Sequence, residues 1–207
     1  VGNLFNVGFG LMVMLLAICL GALYMINNIA HQALTLQLRR RLGQCFALFV
    51  PILLIELIAL FTMDGFAVDE AGVVSMQAGK YLHNLLQMPV VAAMFDIGAI
   101  LLLLGILLTL LKKLFNKGIW LAAPGTVLVV ISLFLIAGYN NTAYYPSTAD
   151  IQSSLTLSNS CSSEFTLRAM AIVSLIIPFV VAYIAYFWRK MDTPSLTKEE
   201  LKHSERY

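Results

Sequence analysis

The chain has 207 residues, 60% of them hydrophobic and only 12% charged, with mean hydropathy +0.86 and formal net charge +2. Soluble domains run to roughly 45–50% apolar and about 25% charged residues, so this composition defines an integral membrane protein. The small net charge, with its basic residues gathered beside apolar runs, gives no footprint for nucleic acid.

Val1-Gly2-Asn3 leads straight into an apolar run, with no initiator methionine and no signal peptide, so the chain reads as part of a longer protein. Five runs are long enough to cross a hydrocarbon core of about 30 Å, which takes about 20 helical residues. They are Val7–Ile26, Cys45–Met63, Pro89–Leu111, Ile119–Tyr139 and Ala169–Trp188. Continuous rather than alternating apolar character excludes a porin-type barrel. The predicted fold is all-α: a four-helix antiparallel membrane bundle over residues 1–139, an ordered external loop over 140–168, a fifth transmembrane helix over 169–190 and a tail over 191–207.

Orientation follows from the basic residues. Arg39, Arg40 and Arg41 fall in the predicted loop between spans one and two, and Lys112, Lys113 and Lys117 in the turn between three and four. Arg189, Lys190, Lys198, Lys202 and Arg206 lie at the C-terminal end, so eleven of the thirteen basic residues share one side. The other side has Lys80 and Arg168 among Asp64, Asp69, Glu70, Asp150 and Glu164. The expected topology places the N-terminus outside and the tail in the cytoplasm. Tyr183, Tyr186, Phe187 and Trp188 form an aromatic belt where the last span exits, and Trp120 marks the entry of the fourth. Pro178 should kink the last span, and Thr197 with Glu200 has capping-box spacing for a short tail helix.

The segment after Gly138 is the one long polar stretch between spans. Tyr144, Tyr145, Ile151, Leu155, Leu157 and Phe165 are interleaved there with Ser and Thr. A flexible linker would be richer in glycine and charge, so an ordered loop resting on other structure is predicted, with Ser163 or Thr166 capping the last helix. Asn140-Asn141-Thr142 is a glycosylation sequon, a motif frequent by chance.

Inside the spans stand two candidate buried ionisable residues, Glu56 and Asp96. A charge at the bilayer centre costs at least about 2.5–3.5 kcal/mol, so each should face protein or water, or carry a proton. A proton relay or quinone contact is one role for such a group; a neutral acid hydrogen-bonded to a neighbouring helix is the plainer one. His31, His83 and His203 all lie outside the spans, whereas a haem held in a bundle takes His or Met ligands from facing helices. Met12, Met14, Met94 and Met170 are available in spans, where methionine commonly packs. No metal-ligating cluster is present, and Cys19, Cys45 and Cys161 supply no disulfide framework. Gly98 and Gly105, with Thr109, give span three a small-residue face for close helix contact.

At the loop the sequence resembles a known family. Pro146-Ser147, Ser154-Leu155-Thr156, Ser162-Ser163 and Thr166-Leu167 resemble the segment before the last helix of subunit II of cytochrome bd quinol oxidases. Met63-Asp64-Gly65-Phe66 and the polar tail ending in Tyr207 look like further matches. The resemblance covers the last five helices of such a subunit. It implies a complex in the bacterial cytoplasmic (inner) membrane that oxidises quinol and reduces dioxygen, with haems b and d held chiefly by a partner, subunit I, and with membrane lipids around both. It transfers no catalytic or metal-binding residue here. Pro146, Ser147, Ser154, Thr156, Ser163 and Thr166 become candidate loop or subunit contacts. Half of a secondary transporter and a membrane assembly chaperone are the competing classes.

Overall fold

The computed structural model describes residues 3–69, 71–112 and 115–191. Helix α1, Leu4–Asn28, starts where the Asn3 side chain accepts the Phe5 N–H, filling one of the donor vacancies of a helix start. Residues 29–31 turn the chain into α2, Gln32–Thr62, and the His31 ring nitrogen Nδ1 caps that helix by accepting from the Leu34 N–H. The arginine triplet is therefore not in a loop. Helix α2 runs for 31 residues, about 46 Å at 1.5 Å per residue, and Arg39–Arg41 lie within its first half. Gln, Leu and Arg are good helix formers, so the helix does not stop where its apolar character does.

The α1–α2 pair has a regular seam. Buried residues on α1 recur every three or four positions, at Met12, Leu15, Cys19, Ala22 and Ile26. On α2 they fall every seventh position, at Leu42, Phe49 and Glu56. This is the spacing of knobs-into-holes packing, with a carboxyl in the place of the third apolar knob.

Helices α4 (Pro89–Leu111) and α5 (Ile119–Gly138) form the second antiparallel hairpin. Pro89 opens α4, where its missing N–H costs no helical bond. The small-residue face expected on this helix meets a matching face on α5. A β-carbon on Gly98 would stand 2.9 Å from the Gly125 carbonyl oxygen, and one on Gly105 would stand 2.6 Å from that of Gly118. One on Gly118 would collide with Thr109 Oγ1. Backbone lies against backbone along the hairpin, which supplies the dispersion contact that holds helices together in lipid.

Arg39 ties the two hairpins at the end bearing the basic residues. Its guanidinium donates to the carbonyl of Thr109, to that of Phe115 at 3.0 Å and to Asn116 Oδ1 at 2.7 Å. These accept at the C-terminal end of α4 and the turn that follows, where orphan carbonyls and the helix dipole favour a cation.

At the opposite end, hereafter the loop end, the chain builds a polar cap. Strands β1 (Gly65–Val68) and β2 (Val74–Gln77) pair antiparallel and lead to the short helix α3, Lys80–Gln87. After α5, β3 (Ala143–Tyr145) pairs with β4 (Leu155–Thr156), followed by α6, Leu157–Ser160. The polar segment does rest on other structure, and that structure is the β1–β2 ribbon. Val68 N–H donates to the Asn141 carbonyl at 2.8 Å, and the Gln152 amide both accepts from Val74 N–H and donates to its carbonyl, each at 2.9 Å.

The last span divides into α7 (Glu164–Ser174) and α8 (Ile177–Met191). Pro178 lacks an N–H and cannot bond the Ser174 carbonyl, and the chain turns at Leu175–Ile176. Every residue from Leu157 to Met191 is exposed. Thr197 and Glu200, the predicted tail cap, lie outside the described residues.

Candidate functional site: two span carboxyls and a polar cap

Glu56 is 7% exposed and faces α1. Its Oε1 presses on Gly8, where a β-carbon would collide with it, and its Oε2 is buried without a hydrogen-bond partner. Glu56 lies about 9 Å along the helix from the α2 terminus at Thr62. The plainer expectation, an acid bonded to a neighbouring helix, is not met within the described residues. What sequence reading missed is Gly8: one of several glycines in α1, it admits the carboxyl only because α2 crosses there.

Asp96 corrects the other expectation. It is exposed on α4, beside Ile97 and one turn before Ile100, both also exposed. Its neighbour Phe95 points inward and meets Phe61 edge-on, with ring centroids 6.4 Å apart, so Asp96 is turned away from α2. One of the two span acids is sealed inside the chain and the other is presented on its surface.

The cap at the loop end is assembled by long-range bonds that span periodicity cannot reveal. Asn84 is fully buried; its side-chain N–H groups donate to the Ile136 carbonyl at 2.9 Å and to Thr142 Oγ1 at 2.8 Å. Asn140 donates back to Asn84 Oδ1 at 3.1 Å and to Gln87 Oε1 at 2.6 Å. Lys80, 4% exposed, donates to the Asn140 carbonyl at 3.2 Å. Burial pushes the Lys80 ammonium below the usual lysine range and the Tyr81 phenol above the usual tyrosine range. Asn140 and Asn141 both adopt positive φ, which asparagine tolerates better than most residues. The sequon is thus an α5 terminator whose first side chain is engaged in the cap.

The loop residues chosen from sequence are mostly bonded to one another. Ser154 Oγ accepts from Ser147 N–H and donates to the Ile151 carbonyl, at 3.0 and 2.6 Å. Thr156 and Asn159 form a reciprocal capping box. Pro146 and Ser147 are half-buried where the chain leaves β3. Ser163, rather than Thr166, caps α7 by accepting the Thr166 N–H. A cavity of about 530 Å³ opens beside this cap, lined by Asp69, Asn141, Thr156 and Ser158 among others.

A haem held in the bundle would take its axial ligand or ligands, commonly His or Met, from helices that face it. His31 caps a helix and His83 pairs with Gln87 at 2.8 Å outside the spans, while His203 lies outside the described residues. Met12 packs in the α1–α2 core, and Met14 and Met170 are exposed on separate helices. Met94 is half-buried on α4, and among the described residues no histidine lies within a span. Cys19, Cys45 and Cys161 are free thiols.

Five apolar helices, two of them joined by a glycine face, with a polar ribbon and loop capping one end, define an all-α multi-pass membrane protein. Residues 1–191 match the family described as cytochrome bd terminal oxidase subunit II, and the chain belongs to that family. It is 29% identical over 147 residues to subunit 2 of the cytochrome bd-I ubiquinol oxidase of Escherichia coli K12. The same identity holds for the O157:H7 protein. In each case the match spans 69% of this chain and 37% of the relative, so the chain matches little more than a third of those proteins' length.

Proposed function

We propose that this chain is a non-haem-ligating part of a bd-type quinol:dioxygen oxidoreductase in the bacterial inner membrane, and that it packs against and stabilises a haem-bearing partner subunit. The carrying observation is the last span. From Glu164 to Met191 it is apolar enough to cross a membrane and is exposed on every side. A helix that shields nothing among the described residues is suited to shielding something beyond them. Asp96 adds chemistry to that surface, because a carboxylate within a span is stabilised by a donor from a neighbouring helix.

In the oriented complex the loop end faces outside and Arg39–Arg41 face the cytoplasm, in keeping with the bias of basic residues. Haem and quinol chemistry belong to the assembled complex, with the haems on the partner. Purification through this chain, followed by a reduced-minus-oxidised spectrum, tests the proposal. Bands of b- and d-type haem in the co-purified material are expected, and a stable, haem-free chain without a partner would overturn it.

A further inference from the structure

Among the described groups, Glu56 is the one buried polar side chain whose chemistry is unfinished. Its Oε2 has no donor or acceptor, and no described cation forms an ion pair with it. Helix α1 carries no Lys, Arg or His. On α3, Lys80 donates to the Asn140 carbonyl and His83 pairs with Gln87. On α4 the ionisable group is Asp96, itself an acid and exposed. The arginines of α2 lie toward its opposite end, and Arg39 is engaged with α4 carbonyls and the following turn.

An isolated carboxylate withdrawn from water without a counter-charge costs many kcal/mol, and such groups neutralise instead. Glu56 also occupies a seam position that holds apolar side chains one and two heptads earlier, opposite a glycine that makes room for its oxygen. The carboxyl is close to the loop end, where a small opening of the α1–α2 seam would admit water. Buried acids in spans mark functional positions, proton relays among them.

We infer that Glu56, seated against Gly8, is a proton-holding site. With the seam closed, no described group is placed to stabilise an anion there. When water enters from the loop end and solvates Oε2, the O–H bond breaks, the proton passes to that water and the carboxylate remains. The reverse step reloads the site. The ligand is a proton carried by water, and Gly8 sets the depth at which it is held. This inference does not depend on the oxidase proposal.

The test is infrared spectroscopy of the chain purified with whatever accompanies it, in lipid nanodiscs. A carbonyl-stretch band of a protonated carboxyl is expected, shifting on transfer to deuterated water. It should be lost in Glu56→Gln and kept in Asp96→Asn. Glutamine is the neutral near-isostere of the protonated acid, so Glu56→Gln should accumulate and melt like the parent. Poor folding of that variant would mean the anion is the structural form, and would overturn the inference. So would a band that survives Glu56→Gln or never exchanges. Gly10, with open space around its Cα, supplies the control: Gly8→Ala should shift the band and Gly10→Ala should not. If Gly8→Ala fails to accumulate, adding Glu56→Ala should restore it, and failure of the double variant would overturn the Gly8 pairing.

Discussion

The α4–α5 hairpin and the last span are comparably apolar, yet they relate to the molecule in opposite ways. In the hairpin, Gly98 and Gly105 lie against Gly125 and Gly118 so closely that side chains there would strike backbone. Arg39 of α2 then closes the free carbonyls at its end. The last span makes no comparable approach to the bundle and stays exposed from α7 through α8. Hydropathy records only that both segments prefer lipid to water. The placement of small residues records which helix was built to meet another within this chain.

The largest expected effect breaks the hairpin side of that contrast. Gly105→Leu forces a side chain into the Gly118 carbonyl and the Ala122 backbone, and overpacking costs about 3 kcal/mol or more where backbone must move. Thermal unfolding of the purified protein should show a loss on that scale. Arg39→Ala comes next. It strands several carbonyl acceptors, and hydrogen bonds to charged groups contribute about 1.5–3 kcal/mol each way. Arg39 is only half-buried, so about 1–2 kcal/mol is expected in the same melt, with Arg40→Ala nearly silent.

The opposite side of the contrast is probed with Phe179→Ala plus Trp188→Ala. Both residues are exposed within the chain, so the chain alone should melt unchanged, while recovery of the partner should fall; each lost anchor at an interface typically costs about 1 kcal/mol or more. Pro146→Gly with Ser163→Ala should weaken the complex by about 1 kcal/mol, mostly through the lost α7 cap, and leave its haem spectrum unaltered.

The smallest effect lies in the cap. Burial lowers the Lys80 pKa, so the unfolded chain binds that proton more tightly than the folded chain does. Stability should therefore rise with pH through the folded pKa and level off at the unfolded value. Thermal melts across that alkaline range should show the slope in the parent and a flatter one in Lys80→Met.

How much of this was legible depended on the range of the interaction. The spans of α4 and α5 agree with their predicted bounds to within a residue, because continuous apolar runs ended by Pro, Lys or Asn are local signals. Arg39–Arg41 were misplaced because charge marks the membrane boundary and says nothing about where a helix ends. The interleaving of apolar and hydroxyl residues in the polar loop was visible in its composition. The loop's seat was not, since Gln152 and Val74 are far apart in sequence. For the carboxyls the limit was sharper: Glu56 and Asp96 look alike in sequence, and only the crossing of α2 over Gly8 separates the sealed acid from the presented one.

The turn at Leu175–Ile176 has a consequence for biosynthesis. Pro178 leaves the Ser174 carbonyl without its helical donor in the middle of a lipid-facing segment, and in hydrocarbon an unmet backbone group costs several kcal/mol. Before a neighbour covers it, the Ser174 carbonyl lacks the helical bond that an ordinary residue at position 178 would supply. Copies that never meet a partner would display that defect to membrane proteases, whereas assembled copies would hide it. Abundance of the chain would then follow abundance of whatever covers the turn.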